Sequence, residues 1–429
     1  MSMKFQDYEK YLSPALSKTT DLVVESGKGC YVTDVNGDVY LDFVQGIAVN
    51  AFGHSYPKIV DAMKAQLDKL TDASFNLVNY PTTLKFAERL AETTPGDLNC
   101  VFFSNSGGEA CDAALKLARA YTERPCIIAF RGSFHGRTLG ATSVTASSSK
   151  YRKHYEPLVG GVHFAPYPSP YRWGYAERQV DPETCAAEAL GEIQKIFDYL
   201  AAPEDVAAVI IEPVMGEGGY IVPPTSFMKG LRELCTKHGI LLIFDEVQSG
   251  YGRTGKMWAS EHFGVVPDIM TSGKAIAGGF PMSAIISTRE IMSKWLPGMH
   301  GSTFGGHPVA AAAALAVLDA MKEEGIPENV NKMGEYLRGR LTELQRKFPV
   351  MGDVRGLGLM TAVEFIHPED RRPNGEAFSK LRKYALDNKL LLLGCGVYGN
   401  GLRFATPLNV TKEELDKGLA IIESGLGEL

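Results

Sequence analysis

The sequence predicts an α/β protein: a large domain with a mostly parallel sheet flanked by helices, followed by a smaller α+β domain. Three observations carry that prediction. Short apolar runs rich in β-formers alternate with helical patterns through roughly residues 100–290. The runs are continuously apolar rather than alternating, as strands buried on both faces are. After about residue 310 the texture changes to long helices separated by isolated short strands. With 429 residues, 45% hydrophobic and 22% charged, the chain can fill a sizeable core, and extended disorder is excluded.

Residues 29–43 carry an Asn36-Gly37 hairpin signal and could join the small domain's sheet. Residues 100–103 read as a strand that enters a helix over 109–121. Further strands are expected at 126–130, 206–211, 240–244, 269–271 and 283–286, with a helix at 227–238. An alanine-rich helix then leads to an amphipathic one over 333–348. Strand patterns at 361–366, 390–393 and 402–404, with one more helix, complete the small unit. The expected division is 1–55 as an N-terminal segment joining the small domain, 56–312 as the large domain and 313–429 as the small one.

Net charge is −6, from 44 basic and 50 acidic residues, so no global field recruits nucleic acid or an anionic membrane. The longest apolar run, 309–318, is half of what a bilayer needs. The first residues resemble neither a secretory signal nor a transit peptide. Seven scattered cysteines without a C-x-x-C pair fit neither a disulfide framework nor a metal site. The expectation is a soluble, cytoplasmic protein.

Polar groups at strand ends carry the chemistry, because ligands of such sheets sit beyond the strand carboxyl ends. Glu212, Asp245 and Lys274 each follow a strand pattern. Asp245-Glu246 after an apolar strand also suits a nucleotide hydrolase, but the phosphate loop that reading requires is missing. Ser106-Gly107-Gly108-Glu109 opens a helix whose free N–H groups could hold an anion, and it equally fits an ordinary capped helix. Phe134, His135 and Arg137 cluster in a loop that could also be a packed turn. Together, a lysine for an imine, an aspartate for a ring nitrogen, a glycine-lined helix start and an aromatic cover suit pyridoxal phosphate.

Eight motifs, in order, carry a resemblance across almost the whole chain: 41–54 (LDFVQGIAVNAFGH), 105–110 (NSGGEA), 134–138 (FHGRT), 211–219 (IEPVMGEGG), 242–255 (LIFDEVQSGYGRTG), 273–281 (GKAIAGGFP), 301–308 (GSTFGGHP) and 402–408 (LRFATPL). The chain resembles the class III aminotransferases, fold-type I pyridoxal-phosphate enzymes, and within them the 4-aminobutyrate and acetylornithine branch. The resemblance implies that Lys274 is the Schiff-base lysine and that Asp245 pairs with the pyridine nitrogen. It implies phosphate contacts from Gly107 and Gly108, a ring stacked by Phe134 and Val247, and contacts from His135 and Gln248. Thr303 would reach a phosphate across a homodimer interface, in a dimer or a dimer of dimers with shared sites.

For substrate the resemblance points to Ile47, Arg137, Glu217 and Arg403. Two arginines suit 2-oxoglutarate, which has two carboxylates. An ω-amino donor such as 4-aminobutyrate has one carboxylate and would strand Arg403, a cost that Glu217 removes by swinging in. A permanent surface ion pair is the alternative for that contact. The expected activity is transfer of an amino group from an ω-amino acid to 2-oxoglutarate by a ping-pong mechanism. Acetylornithine or ornithine aminotransferase, and an amino-acid racemase or epimerase, are the alternatives. Two features depart from the family pattern: Gly108 brings no side-chain hydroxyl, and the segment 167–184 is long and rich in Pro and aromatics. Glycine is abundant at 45 of 429 residues, and eleven of them crowd into 250–306, where backbone would approach the cofactor.

Overall fold

A computed structural model describes residues 3–429. Its centre is a seven-stranded sheet. In spatial order the strands are Cys100–Ser104, Ser283–Ser287, Ile269–Ser272, Leu241–Asp245, Val206–Ile211, Cys126–Arg131 and Val162–Pro166. Ser283–Ser287 runs antiparallel to both of its neighbours, and the other pairings are parallel. The edge strand Val162–Pro166 escaped the sequence reading because His163 and Pro166 break its apolar run.

Burial on both faces explains the continuous apolar strands. Ile128, Phe130, Val209, Ile211, Leu242 and Phe244 pack against the helices Pro182–Tyr199 and Thr225–His238. Ile127, Ala129, Ala208, Ile210, Leu241 and Ile243 face the helix Gly107–Thr122 on the other side. Each fully buried aliphatic side chain contributes roughly 1.5–3 kcal/mol relative to exposure. The alanine-rich helix Pro308–Glu323 packs on Pro57–Leu67 and Pro81–Ala91, its small side chains allowing close approach.

The C-terminal part holds an antiparallel sheet in the order Met351–Leu357, Met360–Phe365, Gly401–Phe404, Leu393–Cys395. The N-terminal hairpin does not enter that sheet. Val24–Lys28, Tyr31–Asp34 and Val39–Asp42 form a separate one, whose fourth strand, Leu390–Leu391, pairs in parallel with Val39–Asp42. The apolar stretch 390–393 is therefore two short strands serving two sheets. The segment 167–184 packs on its own chain: Arg172 pairs with Glu364 on Met360–Phe365, and Tyr398 donates to Glu177.

Candidate active site

Side chains alternate faces along a strand, so Asp245 shares the face of Leu241 and Ile243 and looks toward the helix Gly107–Thr122. Asp245 is buried at 4% exposure. His135 Nδ1 lies 2.7 Å from its Oδ2, and the Cys111 thiol donates to the same oxygen at 3.3 Å. Thr271 Oγ1 and the Val247 N–H donate to Oδ1 at 2.9 and 3.1 Å. Burial by itself pushes this carboxyl up. The hydrogen bond and charge of His135, with the donors Val247 and Thr271, outweigh that and hold it below the usual carboxylate range.

Cys111, His135 and Asp245 are close enough to suggest a metal site. The three groups already bond one another, and burial raises the Cys111 thiol far above its ordinary value.

The loop carrying Phe134, His135 and Arg137 lies directly on the start of the helix Gly107–Thr122. A Cβ on Gly136 (φ +130°) would come within 2.5 Å of Gly108 Cα, and one on Gly107 within 2.8 Å of Val247. Ser106 caps the helix by accepting the Glu109 N–H at 3.3 Å. Glu212, at the next strand end, accepts the Phe134 N–H at 2.9 Å and the Gly216 N–H at 2.7 Å, so it ties two loops together. Burial pushes Glu212 up to about 7.

Lys274 follows the strand Ile269–Ser272 and adopts φ +46°, a left-handed conformation uncommon outside glycine. Its amine is held below the ordinary lysine value by desolvation, then by the charge of Arg403, against the opposing pull of Asp245 and Glu212. Gln248 accepts from the Tyr220 hydroxyl at 2.8 Å.

Above this floor, Arg403 on Gly401–Phe404 is buried at 3% exposure. Its Nη2 pairs with Glu217 Oε2 at 2.8 Å, while Nε and Nη1 have no partner. Burial lowers this guanidinium and the charge of Glu217 more than offsets it. Tyr151 donates to Glu217 Oε1 at 3.4 Å, and the Arg137 guanidinium lies 4.4 Å from the centre of the Tyr151 ring. Arg137 is otherwise exposed. Ile47 lies in a left-handed turn in which Gln45, Gly46, Ile47 and Ala48 have φ of 49°, 63°, 66° and 65°. Gln45 anchors that turn by donating its side-chain amide to the Asp42 carbonyl at 2.9 Å.

The structure thus brings together Asp245, His135, Val247, Gly107 and Gly108 on the floor, and Glu217, Arg403 and Arg137 about the rim. Thr303 lies on an exposed stretch, its carbonyl accepting from Ser74, while its neighbour Ser302 accepts from Asn105 at 3.0 Å. Sequence reasoning missed Cys111, Thr271, Tyr151 and Tyr220. Each is an ordinary residue of a helix, strand or loop until the fold delivers it to the site, and none carried a motif signal.

The model of the family "Aminotransferase class-III" matches residues 12–426. A 4-aminobutyrate aminotransferase of Escherichia coli is 40% identical over 409 residues, covering 95% of this chain and 94% of that protein. An alanine/serine racemase of Pyrococcus horikoshii is 38% identical, over 97% of this chain and 88% of its own. Among solved structures, an amine transaminase from an uncultivated Pseudomonas species in its PLP-bound form superposes with a TM-score of 0.89. It is 33% identical and 98% of each chain is covered.

Proposed function

This chain belongs to the class III aminotransferases, and from that premise we propose that it transfers the amino group of an ω-amino carboxylic acid, of the 4-aminobutyrate type, to 2-oxoglutarate. The cofactor is pyridoxal 5′-phosphate. The residues present suit it: a buried carboxylate kept ionised, a helix start stripped of side chains, and a desolvated lysine. When bound, that group supplies an aldehyde and a ring that draws electrons away from the substrate carbon.

In this reading Gly107 and Gly108 offer N–H groups to the phosphate at the positive end of their helix. Asp245 would hold a proton on the pyridine nitrogen, and His135, Cys111 and Thr271 fix the orientation of its carboxylate. Val247 and Phe134 would flank the ring, and Gln248 would face its hydroxyl. Lys274 would be the amine that carries the aldehyde group when the cofactor is bound, and its Nζ would move the proton at the substrate carbon. Desolvation favours its neutral form, the one that accepts a proton.

Arg137 takes the distal carboxylate of the donor. Glu217 neutralises Arg403 while a monocarboxylate donor is bound, then yields it to the second carboxylate of 2-oxoglutarate. Ile47 borders the substrate space. The single observation that carries this reading is the 2.8 Å Glu217–Arg403 pair. Glu217 is partly exposed at 30% and flanked by Gly216, Gly218 and Gly219, whereas Arg403 retains two unpartnered nitrogens. One side of the pair is built to move and the other to receive a carboxylate.

The active unit is a homodimer in which Thr303 reaches the partner's phosphate. Support comes from Leu77 (81% exposed), Val78 and Phe304, apolar side chains beside a stretch tied together by Asn76 and Ser302. The proposed division is 1–55, 56–312 and 313–429. No helix of the described residues is long and apolar enough to cross a membrane, and all seven cysteines are unpaired. Both suit work in the cytoplasm.

The alanine/serine racemase relative favours a second reading, reprotonation of the same carbon from which the proton left. A screen of amino donors against 2-oxoglutarate and pyruvate, with chiral analysis, separates the two. Consumption of 4-aminobutyrate with formation of glutamate is the expected result. Inversion of an α-amino acid without transfer would replace the reading with the second.

A further inference from the structure

Beside the proposed active site, on the far side of the Glu217 loop, lies a cavity of about 280 Å³. It opens over the carboxyl ends of the strands Cys126–Arg131 and Val162–Pro166, where α/β sheets bind ligands. Three arginines line it. Arg172 pairs with Glu177 and Glu364, and Arg355 pairs with Asp353 and Glu364. Arg131 forms no ion pair among the described residues, and its buried Nε has no hydrogen-bond partner. Its guanidinium lies 3.8 Å from the centre of the Tyr175 ring, a side chain 86% exposed. A cation without a counter-ion, stacked on an aromatic at a strand carboxyl end, is a half-built site for a planar anion.

The cavity also touches the element that carries Glu217. Gly218 and Gly396 are part of its wall, and the Gly396 N–H donates to the Glu217 carbonyl at 2.9 Å. Arg355, on another wall, donates from Nε to the Gly219 carbonyl at 2.9 Å. The loop has no slack on this side, since a Cβ on Gly218 would meet Met215 Sδ at 2.3 Å and the Gly132 carbonyl at 2.4 Å. The cavity wall is therefore continuous with the backbone that carries Glu217.

We propose that this cavity binds a small organic carboxylate with a flat or apolar body, held by Arg131 and Tyr175, and that its occupancy biases the Glu217–Arg403 pair. The second half of the proposal rests on the substrate-sorting role given to Glu217; the binding site itself does not.

Benzoate is the probe, and benzyl alcohol its neutral control. Calorimetric titration of the holoenzyme should count one more benzoate per chain in the wild type than in Arg131→Gln. That variant should keep its cofactor spectrum and its turnover without benzoate. Benzyl alcohol should bind the cavity at least about tenfold more weakly, for want of a charge-assisted hydrogen bond. Kinetically, benzoate should shift the ratio of KM values for 4-aminobutyrate and glutamate by threefold or more in the wild type and leave it unmoved in Arg131→Gln. Val397→Trp, which fills the cavity from its exposed rim, should reproduce both effects should Arg131→Gln fold poorly. Equal stoichiometry in wild type and both variants overturns the site. An extra benzoate that leaves the KM ratio unchanged overturns the coupling. Neither result bears on the donor screen above, which alone decides the proposed function.

Discussion

The floor of the site and its rim are built on opposite principles. On the floor, Asp245 is enclosed and meets four donors from four segments: a loop, a helix, a neighbouring strand and its own strand end. At the rim, Arg403 is equally buried but leaves two nitrogens unpartnered, its carboxylate partner is part-exposed, and Ile47 sits in a left-handed turn. A carboxylate with both oxygens bonded resists rearrangement, whereas an incompletely satisfied ion pair can exchange one carboxylate for another. On the proposed reading, the groups assigned to the cofactor are fixed in advance, while those assigned to the substrate stay exchangeable.

The largest expected effect lies on the floor. Lys274→Ala should retain cofactor binding and lose about 10⁴-fold in kcat, as removal of a proton-transfer group does; turnover near wild type would remove Lys274 from the chemistry. Asp245→Asn should follow, with a loss on the order of 10²–10³ in kcat and a pH-shifted cofactor spectrum, since a pre-organised charge is gone. An unchanged spectrum would mean that Asp245 does not face the ring nitrogen.

At the rim the expected losses are smaller and selective. Arg137→Ala should reduce kcat/KM for donors with a distal carboxylate by roughly 10–100-fold, the worth of a charge-assisted hydrogen bond. Simple amines should be nearly unaffected, and an equal loss for both would take Arg137 out of substrate binding.

The smallest effect is one of pH and stability, at the strut between floor and rim. Burial raises Glu212 to about 7. A carboxyl raised in the folded state stabilises fully below its unfolded value, and that contribution disappears as pH rises through about 7. Glu246, also raised by burial to about 7, titrates in the wild type and in a Glu212 variant alike. The melting temperature of the wild type relative to Glu212→Gln should therefore fall between pH 5 and pH 8. A constant difference across that range would show that Glu212 does not titrate there.

Much of the floor was legible in the sequence because it is made of contiguous signatures. The run of apolar residues ending at Asp245, the Gly107-Gly108 helix start and Lys274 after its strand each announce themselves within a few residues. The rim was legible only through the family resemblance, since nothing local marks Arg403 or Glu217 as partners across 186 positions. Cys111 and Thr271 were not legible at all: their contact with Asp245 depends on strand order and on which face a side chain takes. The N-terminal hairpin illustrates the same limit. Its turn is written in Asn36-Gly37, but its partnership with Leu390–Leu391 depends on a strand of two residues some 350 positions away.

On the proposed reading, Glu217 sorts substrates by occupying Arg403 only when no second carboxylate is present. Stopped-flow measurement of the two half-reactions in Glu217→Gln, with 4-aminobutyrate and with glutamate, tests it most directly. A large loss is expected for 4-aminobutyrate, which leaves Arg403 unpaired, and a nearly unchanged rate for glutamate, whose own carboxylate pairs with it. Equal losses in both half-reactions would make the Glu217–Arg403 contact a fixed structural pair with no part in sorting substrates.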